Sequence, residues 1–145
     1  MCGRASQRGK REDFKNYIYE FEPQGDLFRG NIKPTQKVSI VINDRNTVKT
    51  VEARWWCQLE GAKEWSTKYA IFNANIERLE SSPMWRNLLK SKRCIMPVTS
   101  FYEWPEKGKP PLEIFANGGH PFALAGLWST WFDGGVRRES FAVIT

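Results

Sequence analysis

The apolar positions change period along the first half of the chain. Phe14, Tyr17, Ile18 and Phe21 recur at the i, i+3, i+4, i+7 spacing of an amphipathic helix, which predicts a helix over REDFKNYIYEF. From Glu22 to Gly30 the residues are turn formers, and NIKPTQ reads as a proline-containing loop. In KVSIVIN, Val38, Ile40 and Ile42 alternate with their neighbours as in a strand with one buried face. NDRN predicts a hairpin turn, and TVKTVEARWW the returning strand.

SSPMWRNLLK offers Ser82 as N-cap and Pro83 at the first helical position, the start signal of a short helix. CIMPV and FYEW are short strand-like runs, followed by the EKGKPP turn, the LEIFA strand and the NGGHP turn. FALAGLW reads as a strand buried on both faces, and a hairpin through DGG leads to SFAVIT. Many short strands, two helices and no internal repeat or linker indicate one α+β domain over residues 1–145, built on a mainly antiparallel sheet or barrel. The chain stops on SFAVIT, so the domain is expected to be C-terminally incomplete. Phe141, Val143 or Ile144 would then lie exposed along an unpaired edge.

Composition narrows the class. With 145 residues, 41% hydrophobic and 14% aromatic, the chain can bury a core and is not a disordered sequence. No apolar run is long enough to cross a bilayer, and MCGRASQRGKRED lacks the pattern of a signal peptide, so no membrane association and a cytoplasmic location are expected. The three cysteines, Cys2, Cys57 and Cys94, are widely spaced, and there is one histidine. Neither a metal site nor a disulfide framework is expected, and no cofactor is called for. The net charge of +6, from 22 basic and 16 acidic residues, is compatible with a polyanionic partner and equally with plain solubility.

Three short stretches carry candidate chemistry. Cys2 follows the initiator methionine and is small enough for Met1 to be removed, which would leave an α-amine and a thiol on adjacent carbons. Their reference pKa values, about 7.7–8.0 and about 8.5, make both partly nucleophilic near neutrality. In FYEW, period-2 alternation puts Glu103 on the face of Phe101, away from Tyr102 and Trp104. A carboxylate on an aromatic face suits general acid–base work, and an edge-strand glutamate facing water is the plain alternative. In FNANIE, an extended backbone would put Asn73, Asn75 and Glu77 on one face, where an asparagine can orient a carbonyl oxygen; loop and cap asparagines are the commoner case.

MCGR, NIKPTQ, NANIE, KRCIMPVTSFYEW and PFALAGLW occur in that order over nearly the whole chain. The order resembles the SOS response-associated peptidase (SRAP) family, whose pattern runs MCGR, YN-x-x-PTQ, NAR-x-E, RRC-x-x-P-x-x-GFYEW and P-x-x-x-AGLW. The resemblance implies a barrel-like SRAP fold, binding of single-stranded DNA with abasic sites, and covalent coupling to those sites in the DNA-damage response. It makes Cys2 the nucleophile, with Asn73 and Glu103 as its catalytic partners. The amine would attack the ring-opened sugar aldehyde and the thiol would close a thiazolidine, a ring that only an N-terminal cysteine can supply. Arg4 and Arg86 match candidate phosphate contacts, Pro34 lies in the matching loop, and Trp65 is a base-stacking or core residue.

The sequence departs from the pattern in three places: Asn75 replaces the arginine of NAR, Ser100 replaces the glycine of GFYEW, and WWCQLEG replaces WGL-x-P. Asn75 is kept as a DNA-binding candidate. The family's H-x-R-M-P histidine falls beyond Thr145, and His120 is expected to be a surface turn residue. Two alternatives stay open: a cysteine peptidase or autopeptidase that removes its own Met1, and a non-covalent single-stranded nucleic-acid-binding module.

Overall fold

A computed structural model describes residues 2–145; Met1, whose removal the sequence predicts, lies outside the described residues. In chain order the strands are β1 (Ala5–Gly9), β2 (Leu27–Ile32), β3 (Lys37–Asp44), β4 (Thr47–Trp55), β5 (Asn73–Ala74), β6 (Arg93–Val98), β7 (Ser100–Glu103), β8 (Leu112–Ile114), β9 (Phe122–Asp133) and β10 (Val136–Ile144). The α-helices are α1 (Arg11–Lys15) and α2 (Pro83–Ser91). One sheet has the order β4-β3-β6-β9-β10-β5, and a parallel pairing of β10 with β4 closes five of its strands into a barrel. The second sheet, β2-β1-β7-β8, is antiparallel and abuts the barrel where β6 runs on into β7. The expected class, a mainly antiparallel α+β fold with a barrel, is the one observed.

The two predicted hairpins form for the expected reason. Arg45 and Asn46 adopt φ of 52° and 65°, and Gly134 and Gly135 adopt 54° and 88°, the paired positive values that match a tight turn to the twist of its strands. α2 begins at Pro83 after Ser82, whose backbone oxygen accepts from Trp85 N and Arg86 N although its hydroxyl makes no capping bond. Trp85 and Leu88 turn its apolar side inward.

Elsewhere tertiary packing overrides the local pattern. The long helix predicted over REDFKNYIYEF stops at Lys15, and Glu20 enters the left-handed region at φ 65°. Phe14, Ile18 and Phe21 are still buried, with Phe14 and Phe21 edge to face at 5.4 Å, but Tyr17 is exposed. This cluster, with Leu27, covers the outer side of β3 at Val41. β3 is therefore buried on both faces rather than one: Val38, Ile40 and Ile42 point into the barrel and Val41 points outward under the α1 segment. β9 departs in the other direction: residues 126–129 are buried, whereas Ala123 and Ala125 are exposed.

β1 and β2 have no apolar alternation to announce them. Gln7 of β1 is fully buried, and its Nε2 donates to Ser39 O at 2.9 Å and Pro97 O at 2.7 Å. These bonds fasten the second sheet to the barrel strands β3 and β6, and a buried amide left unbonded would cost about 1–3 kcal/mol. The unpaired edge expected at SFAVIT is not found. β10 pairs with β9 along its length, and on its other side with β4 at Ser140 and Phe141 and with β5 at Val143 and Ile144. Phe141 and Val143 are buried and Ile144 is half-buried.

Gly126 lies in β9 between Cys94 of β6 and Val143 of β10. A Cβ there would stand 2.7 Å from Ala142 O and 2.9 Å from Cys94 Sγ, so the backbone would have to shift. Gly126→Ala is expected to lower the unfolding free energy in urea by about 1–3 kcal/mol. Gly3→Ala, with nothing within 4 Å of the new methyl, should leave it within about 0.5 kcal/mol.

Candidate active site

Cys2, the first described residue, lies immediately ahead of β1, and the register of β1 decides what it meets. Ala5 pairs with Phe101 and Ser6 with Ser100 on β7, and Tyr102 N donates to Arg4 O at 2.9 Å. Extending that register by two places sets Gly3 across from Glu103. The side chain of Cys2 is 5% exposed and joins the main core cluster with Trp55, Trp128, Phe141 and Val143, against which Phe72 and Phe101 also pack. Its Sγ–H donates to Arg4 O at 3.8 Å.

This setting keeps the thiol protonated. Burial pushes its pKa from the ordinary 9.0 up to about 11; the backbone hydrogen bond at Arg4 offsets part of the rise, and the negative charge of Glu103 adds to it. That effect of Glu103 places its carboxylate in electrostatic reach of the thiol. Cys57 and Cys94 are buried free thiols as well, Cys57 pushed up to about 12 and Cys94 well above its usual range, in both cases mainly by burial.

Asn73 adjoins the same cluster through Val143. β5 runs parallel to the end of β10, pairing Asn73 with Val143, and Val143 N donates to Phe72 O at 3.0 Å. The indole Nε1 of Trp55 donates to the same carbonyl at 3.0 Å, which ties the segment before Asn73 to the barrel interior. Both Nδ2 and Oδ1 of Asn73 are buried and find no hydrogen-bond partner among the described residues. The extended NANIE segment with three side chains on one face is not observed. The strand ends at Ala74, and Asn75 instead caps a 3-10 turn over Ile76–Arg78, its Oδ1 accepting from Glu77 N at 2.9 Å. Asn75 and Glu77 are exposed.

The candidate DNA contacts are spread over several elements. Arg4 is half-buried, donates from Nη1 to Asn31 Oδ1 at 2.6 Å, and lies 5.7 Å from the Trp104 ring centroid. Asn31, at φ 54°, was not singled out from the sequence, although it is the asparagine of the NIKPTQ loop. Pro34 is held beside the end of β4 by Thr35 N to Trp55 O at 2.9 Å and Trp55 N to Gln36 O at 3.0 Å. Trp65 is half-buried, with the Arg54 guanidinium 3.6 Å above its ring and Trp131 at 5.6 Å, so its neighbours occupy much of the surface a base would need. Trp55 is fully buried, Trp56 half-buried, and Arg86 exposed on α2. His120 lies exposed in its turn, stacked on Tyr17 at 4.4 Å. No group of three or more potential metal-ligating side chains occurs among the described residues.

A barrel with a flanking sheet, and Cys2 lodged among their shared core residues, defines a fold class with known members. The chain belongs to the SOS response associated peptidase (SRAP) family, whose profile matches residues 1–145. Among its relatives, the abasic site processing protein YoqW of Bacillus subtilis is 35% identical over 137 residues, covering 90% of this chain and 61% of YoqW. The abasic site processing protein YedK of Escherichia coli is 30% identical over 156 residues, covering 100% of this chain and 67% of YedK. The chain thus spans 61% of the length of YoqW. A crystal structure of a Bordetella bronchiseptica protein superimposes with a TM-score of 0.82 at 20% identity, over 99% of this chain and 71% of that one. A phage-related protein of the same organism gives 0.71 at 22%, over 99% and 68%. These two structures share the fold.

The raised thiol pKa values make stability depend on pH. An unfolded chain releases these protons near pH 9, whereas the folded chain holds them to about 11 or 12. The folded state then binds more protons, so unfolding free energy falls as pH rises across that window. Urea unfolding between pH 8 and 11 should show the decline, and Cys57→Ala should make it shallower. An equal slope in wild type and Cys57→Ala would contradict the assignment.

Proposed function

We propose that the chain captures abasic sites in single-stranded DNA through a covalent bond to Cys2, once removal of Met1 frees its α-amine. The observation that carries this reading is the Asn73 amide, buried without a partner among the described residues beside the cluster that surrounds Cys2. Each unbonded buried group costs about 1–3 kcal/mol, and a sugar hydroxyl or carbonyl oxygen brought to Cys2 would satisfy it. The names of YoqW and YedK as abasic site processing proteins support the same substrate.

The chemistry follows from the groups present. An abasic sugar in its ring-opened form offers an aldehyde. The amine of Cys2 adds to it and water leaves, giving an imine. The sulfur then bonds to the same carbon while the thiol proton passes to the former imine nitrogen, closing a five-membered thiazolidine. One water is lost overall, and no electrons are gained or lost. A thiol with a pKa of about 11 is almost wholly protonated at neutral pH, so sulfur addition needs a base within reach. Glu103 takes that role and the earlier proton transfers, and Asn73 orients the sugar oxygen. Arg4, Asn75 and Arg86 contact the backbone, with Pro34 and Trp65 along the bound strand. The peptidase alternative draws no support from His120, whose ring is stacked on Tyr17 in a turn.

Placing a glycine between Met1 and Cys2 removes the aminothiol but keeps the thiol. Denaturing gels with an abasic oligonucleotide should then show no stable adduct, with binding within about twofold of wild type. A normal adduct yield would overturn the mechanism. Cys2→Ala should allow only a borohydride-trappable imine.

Glu103→Gln and Asn73→Ala should slow adduct formation by about 10²-fold or more while changing affinity little. Arg4→Ala should instead weaken binding and flatten its salt dependence. Crosslinking of Glu103→Gln at the wild-type rate would remove Glu103 from the mechanism.

A further inference from the structure

A cavity of ≈ 470 Å³ opens at the barrel wall between β3, β4 and β10, lined in part by Thr35, Lys37, Arg54, Trp65 and Arg138. Arg54 is 7% exposed, yet no carboxylate pairs with it among the described residues. Its Nη2 donates to two neutral oxygens, Gln58 Oε1 and Ser66 O, each at 3.2 Å, and its Nε is buried with no acceptor. The two carboxylates on the lining are engaged elsewhere: Glu52 accepts from Ser39 Oγ, and Glu139 pairs with Arg137 at 2.5 Å.

The backbone register concentrates positive charge here. Lys37 stands directly across the ladder from Arg54, and Arg54 pairs on its other side with Ser140, two residues from Arg138. Like charges at directly opposed positions oppose sheet formation. Burial is the main reason the Arg54 guanidinium is easier to deprotonate than usual; Cys57 opposes that shift, and the nearby charge of Arg138 adds to it. A buried cation facing other cations across a polar cavity is an arrangement that a bound anion would stabilise.

We propose that this cavity is a binding site for a phosphate group, held by Arg54 and Lys37 with Arg138 and Thr35 at its rim. A phosphate brings negative charge between the cations and oxygen acceptors to their N–H groups. The group could come from a free phosphate compound or from a nucleic-acid backbone. The cavity shares Trp65 with the strand path of the proposed function but takes no part in the covalent chemistry at Cys2, so its test needs no abasic DNA.

The experiment measures the thermal midpoint and calorimetric binding of the full chain with inorganic phosphate, against sodium chloride of equal ionic strength. Phosphate is expected to bind at one site and raise the midpoint, and Lys37→Gln should weaken that binding about tenfold. Lys107→Gln, in an exposed turn, should leave it unchanged. Arg54→Gln should abolish it; if that variant does not fold, Lys37→Gln and Arg138→Gln decide the matter. No phosphate effect beyond that of chloride, or equal behaviour of Lys37→Gln and Lys107→Gln, would overturn the proposal. Titration with an undamaged single-stranded oligonucleotide over a range of salt then separates the sources. A backbone phosphate predicts that Lys37→Gln reduces the slope of log K against log salt by about 0.7. An unchanged slope together with lost phosphate binding assigns the site to a free anion.

Discussion

The parallel pairing of β10 with β4, at Ser140–Arg54 and Phe141–Trp55, is the constraint on which the rest of the structure depends. It closes the barrel and removes two sheet edges that would otherwise expose unpaired backbone groups. It also brings Trp55 and Phe141 face to face at 6.2 Å in the centre of the core. The same strand, two residues further on, takes up β5 and so fixes Asn73 against the barrel. One strand thereby positions both an asparagine of the candidate active site and the cation-lined cavity, although Arg54, Asn73 and Ser140 are far apart in sequence.

The second sheet sets the other half of the site. Gln7 pins β1 to β3 and β6, and β7 then aligns with β1 so that Glu103 arrives beside Cys2. Cys2 is thus held in the core by its burial, by the pairing of β1 with β7 and by the bond from its Sγ–H to Arg4 O. For the proposed role of Cys2 this suits proximity catalysis, because the entropy of bringing the groups together is lost on folding and not at reaction. The same burial raises the thiol pKa, which makes a neighbouring base a chemical requirement of the proposed ring closure.

Several features were legible from the residues alone because local rules decide them. Hairpins at Arg45–Asn46 and Gly134–Gly135, the helix starting at Pro83, and the inward set Val38, Ile40 and Ile42 depend on nearby residues and on period. The ordered motifs marked Cys2, Asn73 and Glu103 as candidates and pointed to the family that the whole-chain match shows. Alternation in FYEW put Glu103 and Phe101 on one side of β7, with Phe101 packed against the core.

What the sequence did not disclose depends on partners distant along the chain. β1 is polar because its buried Gln7 bonds to carbonyls about 30 and 90 residues away, so no hydrophobic signal exists to read. The helix after Arg11 ends at Lys15, yet Phe14, Ile18 and Phe21 still gather on Val41, a β3 residue distant in the chain. β10 reads as an open edge until β4 and β5 are folded onto it. Arg54 looks like any strand arginine until Lys37 is set opposite it and the barrel wall desolvates it. The sequence by itself determined the local turns, the strand periods and which groups are candidates for the chemistry. Tertiary structure alone decided which groups meet and which lose their water, because both depend on contacts between residues remote in the chain.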